Sequence, residues 1–196
     1  MPRTAASNTN EIIDAAMRYF WQHGYYAASI DKIVDAIGGN RHAIYTAIGS
    51  KSELYRRCFA TYQSAVVTPA FSVVEQSSAN LAAIAQYLEV QIARAESMGL
   101  PGPGCLVANA MIETAPRDPD IADEVNMHHQ RLRAGFANAL SNENSSLTAA
   151  EVCALADFLV ITAQGLWSMS RAVTSAAPMR AHVATTLSLL RTRIDQ

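Results

Sequence analysis

At 196 residues, half of them hydrophobic and 16% charged, the chain is long enough to bury a sizeable core and too apolar to be intrinsically disordered. Its net charge of −2 excludes a nucleic-acid binder of the uniformly basic kind. The basic excess is local: residues 1–60 hold seven Lys/Arg against five Asp/Glu, and residues 61–196 hold eight against twelve.

Residues 1–8, MPRTAASN, read as a polar, solvated tail. A helix is predicted from about Thr9 to His23, capped by Asn8 or Thr9, with Ile12, Ile13, Ala16, Met17 and Phe20 on its apolar face. Gly24 ends it, and Tyr25-Tyr26-Ala27-Ala28 leads to the stretch that carries most information. Ser29 is an N-cap residue, because its hydroxyl can accept a bond from an orphan backbone N–H. Ile30, Ile33, Val34 and Ile37 follow at helical 3-4 spacing. Gly38-Gly39 stops that helix, since glycine tolerates the left-handed backbone of a helix end. Asn40 caps a further helix in which Ala43, Ile44, Ala47 and Ile48 face inward, leaving Arg41, His42, Tyr45 and Thr46 facing outward. Two short helices joined by a glycine turn, the second with an outward polar row, make a helix-turn-helix; in that motif the second helix enters the DNA major groove.

The string resembles the DNA-binding domain of the TetR family of transcriptional regulators over roughly residues 9–57. The matching residues are Ser29-Ile30-Asp31-Lys32-Ile33, the turn, Ala43-Ile44-Tyr45 and Gly49-Ser50-Lys51-Ser52-Glu53-Leu54. Departures lie at Gly39, His42, Ala47 and Ile48, where the family favours a small apolar residue, glycine and two aromatics. The resemblance implies an all-α fold: residues 1–50 as a three-helix DNA-binding domain and residues 51–196 as a helical ligand-binding and dimerisation domain. It implies double-stranded operator DNA as partner, with Ser29, Asn40, Arg41, His42, Tyr45, Thr46 and Lys51 as the contacting residues. Lys51, at a helix start, suits a phosphate.

Beyond Ser50, with Glu53 in capping-box position, the predicted helix buries Leu54, Tyr55, Cys58, Phe59 and Tyr62 and is expected to kink or break at Pro69. Residues 79–97 form an alanine-rich amphipathic helix, GLPGPG at 99–104 breaks it, and 105–115 is an apolar helix. Asp118 or Asp120 starts a helix reaching about Leu140. Thr148, with Glu151, opens a long helix apolar on more than one face, and a last amphipathic helix spans 176–193. The surplus of apolar surface on these two terminal helices suggests helix-on-helix pairing, and in the family the last two helices form the homodimer interface.

The resemblance also implies a pocket for a small-molecule effector among the middle helices. Tyr62, Tyr87, Cys105, Ile112, Phe158 and Trp167 are candidates to line it. Asn109, His128 and Gln164 are the polar groups that would orient a mostly apolar ligand. Cys105, at a helix start, is an alternative switch by oxidation or electrophile attack, and a helical small-molecule-binding protein that does not act on DNA is the other alternative. Glu124 and His128 stand at i, i+4 beside His129, too few ligands to argue a metal site. No catalytic or cofactor fingerprint occurs, so neither an enzyme nor a bound cofactor is expected. The widely spaced Cys58, Cys105 and Cys153 suit free thiols in a reducing cytoplasm. Neither a secretion signal nor an apolar stretch of bilayer-spanning length is expected, hence no membrane partner.

Overall fold

A computed structural model describes residues 5–37, 41–143 and 146–195. The described residues are helical with no strand among them, and they divide into two compact units: residues up to 67 with 105–125, and 68–104 with 126–195. Compactness therefore groups the segment after GLPGPG with the N-terminal helices, a different cut from the functional division placed after residue 50.

The first unit contains α1 (Ala5–His23), α2 (Ile30–Ile37), α3 (Arg41–Ile48), α4 (Lys51–Tyr62), a π-helical stretch (Gln63–Val67) and α7 (Leu106–Glu113). α1 starts four residues earlier than expected, so Thr9 lies inside it and does not cap it. Ala5 and Ala6 are strong helix formers and carry the helix outward into the polar tail. Phe20, Tyr55 and Phe59 are fully buried, and the rings of Phe20, Tyr25, Tyr55 and Phe59 stack in a chain with neighbouring centroids 4.8–6.0 Å apart. Such ring pairs add edge-to-face attraction to the burial of apolar area. Trp21 meets Tyr62 at 5.0 Å in the same unit.

The helix that begins at Lys51 is not broken at Pro69. It loosens into the π-helical stretch at Gln63–Val67, and Pro69 sits in the first turn of the short α5 (Thr68–Phe71). Proline has no N–H to donate to the carbonyl one turn before it, and the change of pitch falls in that preceding turn.

The second unit contains α5, α6 (Leu81–Ser97), most of α8 (Pro119–Ser141), α9 (Ala149–Met169) and α10 (Ala177–Ile194). Its centre is an aromatic triad, Phe71, Tyr87 and Phe136, with centroids 5.1–6.0 Å apart. Asp118 caps α8 by accepting the Asp120 and Ile121 N–H groups, and Thr148 with Glu151 forms a complete capping box on α9. Ion pairs tie the helices: Arg131 to Glu75, Arg133 to Asp157, Arg193 to Glu151, and Arg180 to both Glu89 and Glu96.

α9 corrects one expectation. With 21 residues and a mean hydropathy of 1.5, it is long and apolar enough to cross a bilayer by length and composition. Its apolar residues are spread around the helix and interrupted by Glu151 and Asp157, so no single run stands out. Both acids pair with arginines within the second unit.

Candidate nucleic-acid interface

The helix-turn-helix is built by its caps and its buried isoleucines. Ser29 Oγ accepts the Lys32 N–H at 3.2 Å and starts α2, which buries Ile30 and Ile33. α3 buries Ile44 and Ile48. Gly49, at φ +101°, ends α3 with its N–H donated to the Tyr45 carbonyl at 3.0 Å; a side chain there would be strained. Ser50 then accepts the Glu53 N–H at 3.0 Å and starts α4. The caps at Ser29 and Ser50 and the stop at Gly49 thus bound α2, α3 and α4.

α3 exposes Arg41, His42, Tyr45 and Thr46, as expected, and also Ala47, which was expected to face inward. Two isoleucines four residues apart already fill the inward stripe of so short a helix. Arg41 is held in place. Its Nη1 donates to both Asp31 carboxylate oxygens at 3.0 and 3.2 Å, and its guanidinium lies 5.5 Å from the Tyr45 ring centroid. A hydrogen bond with Tyr45, then the Asp31 charge, raise its pKa further, so the guanidinium is a permanent cation. Asn40 and the Gly38-Gly39 turn lie outside the described residues.

Lys51 stands at the first position of α4, with Nζ 4.2 Å from the centroid of the Tyr25 ring. Partial burial lowers its pKa, and the Glu113 charge opposes that shift. Glu113, at the end of α7, accepts the backbone N–H groups of Tyr25 and Tyr26 at 2.9 and 2.8 Å. Nothing in the sequence around Glu113 signals that contact, which spans 88 residues; the helix-turn-helix pattern is local and α7 is far along the chain.

A model of the family described as "Bacterial regulatory proteins, tetR family" matches residues 12–58. The chain is 28% identical over 182 residues to the HTH-type transcriptional repressor ComR of Escherichia coli K12, covering 90% of this chain and 86% of ComR. A transcriptional regulator of the TetR family from Agrobacterium tumefaciens superposes with a TM-score of 0.82 at 19% identity, over 95% of this chain and 98% of that one. The TetR-family regulator CifR, solved with a 26 bp double-strand operator DNA, superposes at 0.75 with 20% identity, over 94% and 95%. Residues 12–58 match the DNA-binding domain of that family, and over most of its length the chain is similar to TetR-family regulators. It is a DNA-binding transcriptional regulator and not an enzyme.

The candidate effector residues fall in both compact units. Cys105, Asn109 and Tyr62 belong to the first unit: Cys105 is buried at the N-cap of α7, and the Asn109 amide reaches the Trp21 carbonyl at 3.5 Å. Ile112 is exposed. Tyr87 is part of the aromatic triad of the second unit. Phe158 is exposed, on the wall of an apolar groove of about 420 Å³ along α9 and α10 that also takes in Ile161, Gly165, Met169, Met179 and His182. Only His128, Gln164 and Trp167 gather. The His128 ring lies 5.9 Å from Trp167 and 6.0 Å from His129, and His129 Nε2 contacts the Gln164 amide. Gln164 Oε1 is buried without a hydrogen-bond partner. Burial, with the nearby His129 and Arg131, pushes the His128 pKa down to about 3, so the ring is neutral at physiological pH. His129, the missed member of this cluster, neighbours a residue that was singled out. Among the described residues no group of three or more His, Cys, Asp or Glu could hold a metal.

Proposed function

We propose that this regulator is a homodimeric repressor that binds a pseudo-palindromic operator through α3 and is released by a small, mostly apolar effector. The observation that carries the reading is the exposed row Arg41, His42, Tyr45 and Thr46 on a helix whose ends are fixed by Gly49 and its buried isoleucines. Arginine offers a bidentate pair to guanine, and Tyr45, Thr46 and His42 can reach phosphate or base edges. Ser29 and Lys51 stand at the starts of the helices on either side, where backbone N–H groups favour phosphate. Asn40 joins them by its place in the sequence. In free protein Asp31 occupies the Arg41 fork; on DNA, guanine or phosphate acceptors replace it.

ComR and a second relative, BdcR of Escherichia coli K12, are named as repressors, which supports that sign of regulation. For a dimer, the support is the solvent-facing apolar row Phe158, Ile161 and Met169 beside the α9–α10 groove, with Leu189 exposed on α10. A single short recognition helix binds weakly, and two of them one DNA turn apart read a palindrome. For the effector, the support is the His128–His129–Gln164–Trp167 cluster, where the buried Gln164 Oε1 lacks a hydrogen-bond partner and can orient a ligand. The effector must prefer the released conformation to shift the population. The Cys105 alternative is weaker, because the thiol is buried and an oxidant or electrophile has no open approach to it. A bacterial regulator of this kind acts in the cytoplasm.

The test begins with selection of bound sequences from a random duplex pool by the intact protein. A palindromic consensus with two protein chains per duplex supports the reading. A consensus without two-fold symmetry, or one chain per duplex, refutes the dimeric operator.

A further inference from the structure

We infer that Glu113 is a positioning residue for DNA binding: its carboxylate, by accepting the Tyr25 and Tyr26 amides, sets the α1–α2 link and, through the Tyr25 ring, the pose of Lys51. The geometry is specific. Both carboxylate oxygens are used, one per amide, at 2.9 and 2.8 Å. Gly24 makes room for this approach; a Cβ at Gly24 would lie 2.8 Å from Glu113 Oε2, and its φ of +81° is itself a glycine conformation. An acid in the last turn of a helix faces the negative end of the helix dipole, which is a poor place for it unless donors compensate. Here two backbone donors from another element do so. Tyr55, whose ring lies 4.8 Å from Tyr25, is fully buried, so the Tyr25 ring of the clasped link rests on a fixed aromatic floor.

The link leads directly into Ser29 and α2, and the Tyr25 ring is where the Lys51 ammonium rests. Glu113 thus acts on the phosphate-facing residues in two ways. It fixes the backbone that starts α2, and its negative charge attracts Lys51 toward the Tyr25 ring. The two actions have opposite signs on DNA affinity. Loss of the fixed link weakens binding that needs both phosphate anchors in register. Loss of a negative charge strengthens, or leaves unchanged, binding that depends on charge alone. A residue with a purely structural role would lower both kinds of binding together.

The test measures affinity by fluorescence anisotropy on two duplexes of equal length, the consensus selected by the wild type and a scrambled version, over a KCl series. Glu113→Gln places an amide N–H against one of the two amide donors and removes the charge. It is expected to bind the consensus at least tenfold more weakly while scrambled DNA is bound as tightly as by wild type or more so. Glu113→Asp keeps the charge and shortens the reach by one methylene; it is expected to fall between, and it serves if the Gln variant does not fold by circular dichroism. Lys51→Ala should cost less in the Glu113→Gln background than in wild type. A wild-type ratio of consensus to scrambled affinity in both Glu113 variants overturns the inference. The inference rests on the DNA-binding reading of Lys51 and Ser29. A wild type that selects no sequence overturns both, whereas unaltered variants overturn only the role of Glu113.

Discussion

At the scale of single residues, Arg41 is expected to govern reading and His128 acid stability. Arg41 is exposed, its partners are Asp31 and Tyr45 on the same small motif, and no core residue leans on it. Arg41→Ala should therefore leave the helical spectrum and the oligomeric state unchanged while consensus affinity drops tenfold or more in a gel-shift titration, as loss of a base or phosphate contact costs about 1–3 kcal/mol. Unchanged affinity would remove Arg41 from the reading surface. His128 sets the acid limit. Its folded pKa of about 3 lies below its ordinary value, so between pH 6.5 and 3 the unfolded chain takes up a proton that the folded chain refuses. Stability is complete above pH 6.5 and falls as pH drops through that window, by up to about 1.4 kcal/mol per unit. Half-buried His129, also lowered by burial, adds in the same direction. The interval from pH 6.5 to 5 isolates the histidines, because the carboxylates held down by arginines, Glu75 and Glu96, lose their contribution only at lower pH. Urea unfolding midpoints measured across that interval should decline in wild type and flatten in His128→Leu; equal slopes would show that His128 is not the group that charges.

At the scale of elements, packing of α8 on α5 depends on the absence of one Cβ. Gly135 lies against Phe71, and a methyl added there would sit 2.7 Å from two ring carbons. Phe71 is fully buried and held between Tyr87 and Phe136, so its ring has nowhere to withdraw. Gly135→Ala gains helix propensity but overpacks the triad, and a net loss of about 1–3 kcal/mol in chemical denaturation is expected; a stabilised variant would show the triad to be loosely packed. How legible an element was depended on how local its causes are. α2, α9 and the start of α4 were read from Ser29, Thr148 and Ser50, because a cap and an apolar stripe act within a few residues. The exposed row of α3 was read for the same reason. The π-helical stretch before Pro69 was not, since a one-residue change in helical pitch leaves no mark in an apolar spacing. The Glu113 clasp and the pairing of His129 with Gln164 are contacts between distant segments, and a single sequence gives no sign of which distant segments meet. An effector wall is hard to read from sequence because aromatic and sulfur-bearing residues serve a plain core, as Tyr87 does in its aromatic triad, as readily as a cavity.

At the scale of the whole molecule, the proposed pairing with a second copy makes specific demands on the apolar face of α9 and α10. A two-fold axis brings the same patch against itself, so a self-complementary surface needs apolar residues and room for close approach, with few unpaired charges. Phe158, Ile161 and Met169 supply the first, and Gly165, where an added Cβ would meet nothing within 4 Å, supplies the second. Both acids of α9 are already spent: Asp157 is paired with Arg133 and Glu151 with Arg193. Ile161 is the most open of the apolar group at 70% exposure, so replacing it disturbs no intrachain core. Ile161→Asp should place two carboxylates near the axis of the pair, and a buried like-charge pair is among the costliest contacts an interface can hold. Sedimentation should then report a folded monomer at micromolar concentration. Consensus DNA should be bound far more weakly, with a salt slope near half that of wild type because half the phosphate contacts are made. Arg41→Ala is the converse case, a dimer that cannot read. If Ile161→Asp remains a dimer with wild-type affinity, the apolar face serves another purpose, and the two recognition helices must be joined elsewhere on the chain.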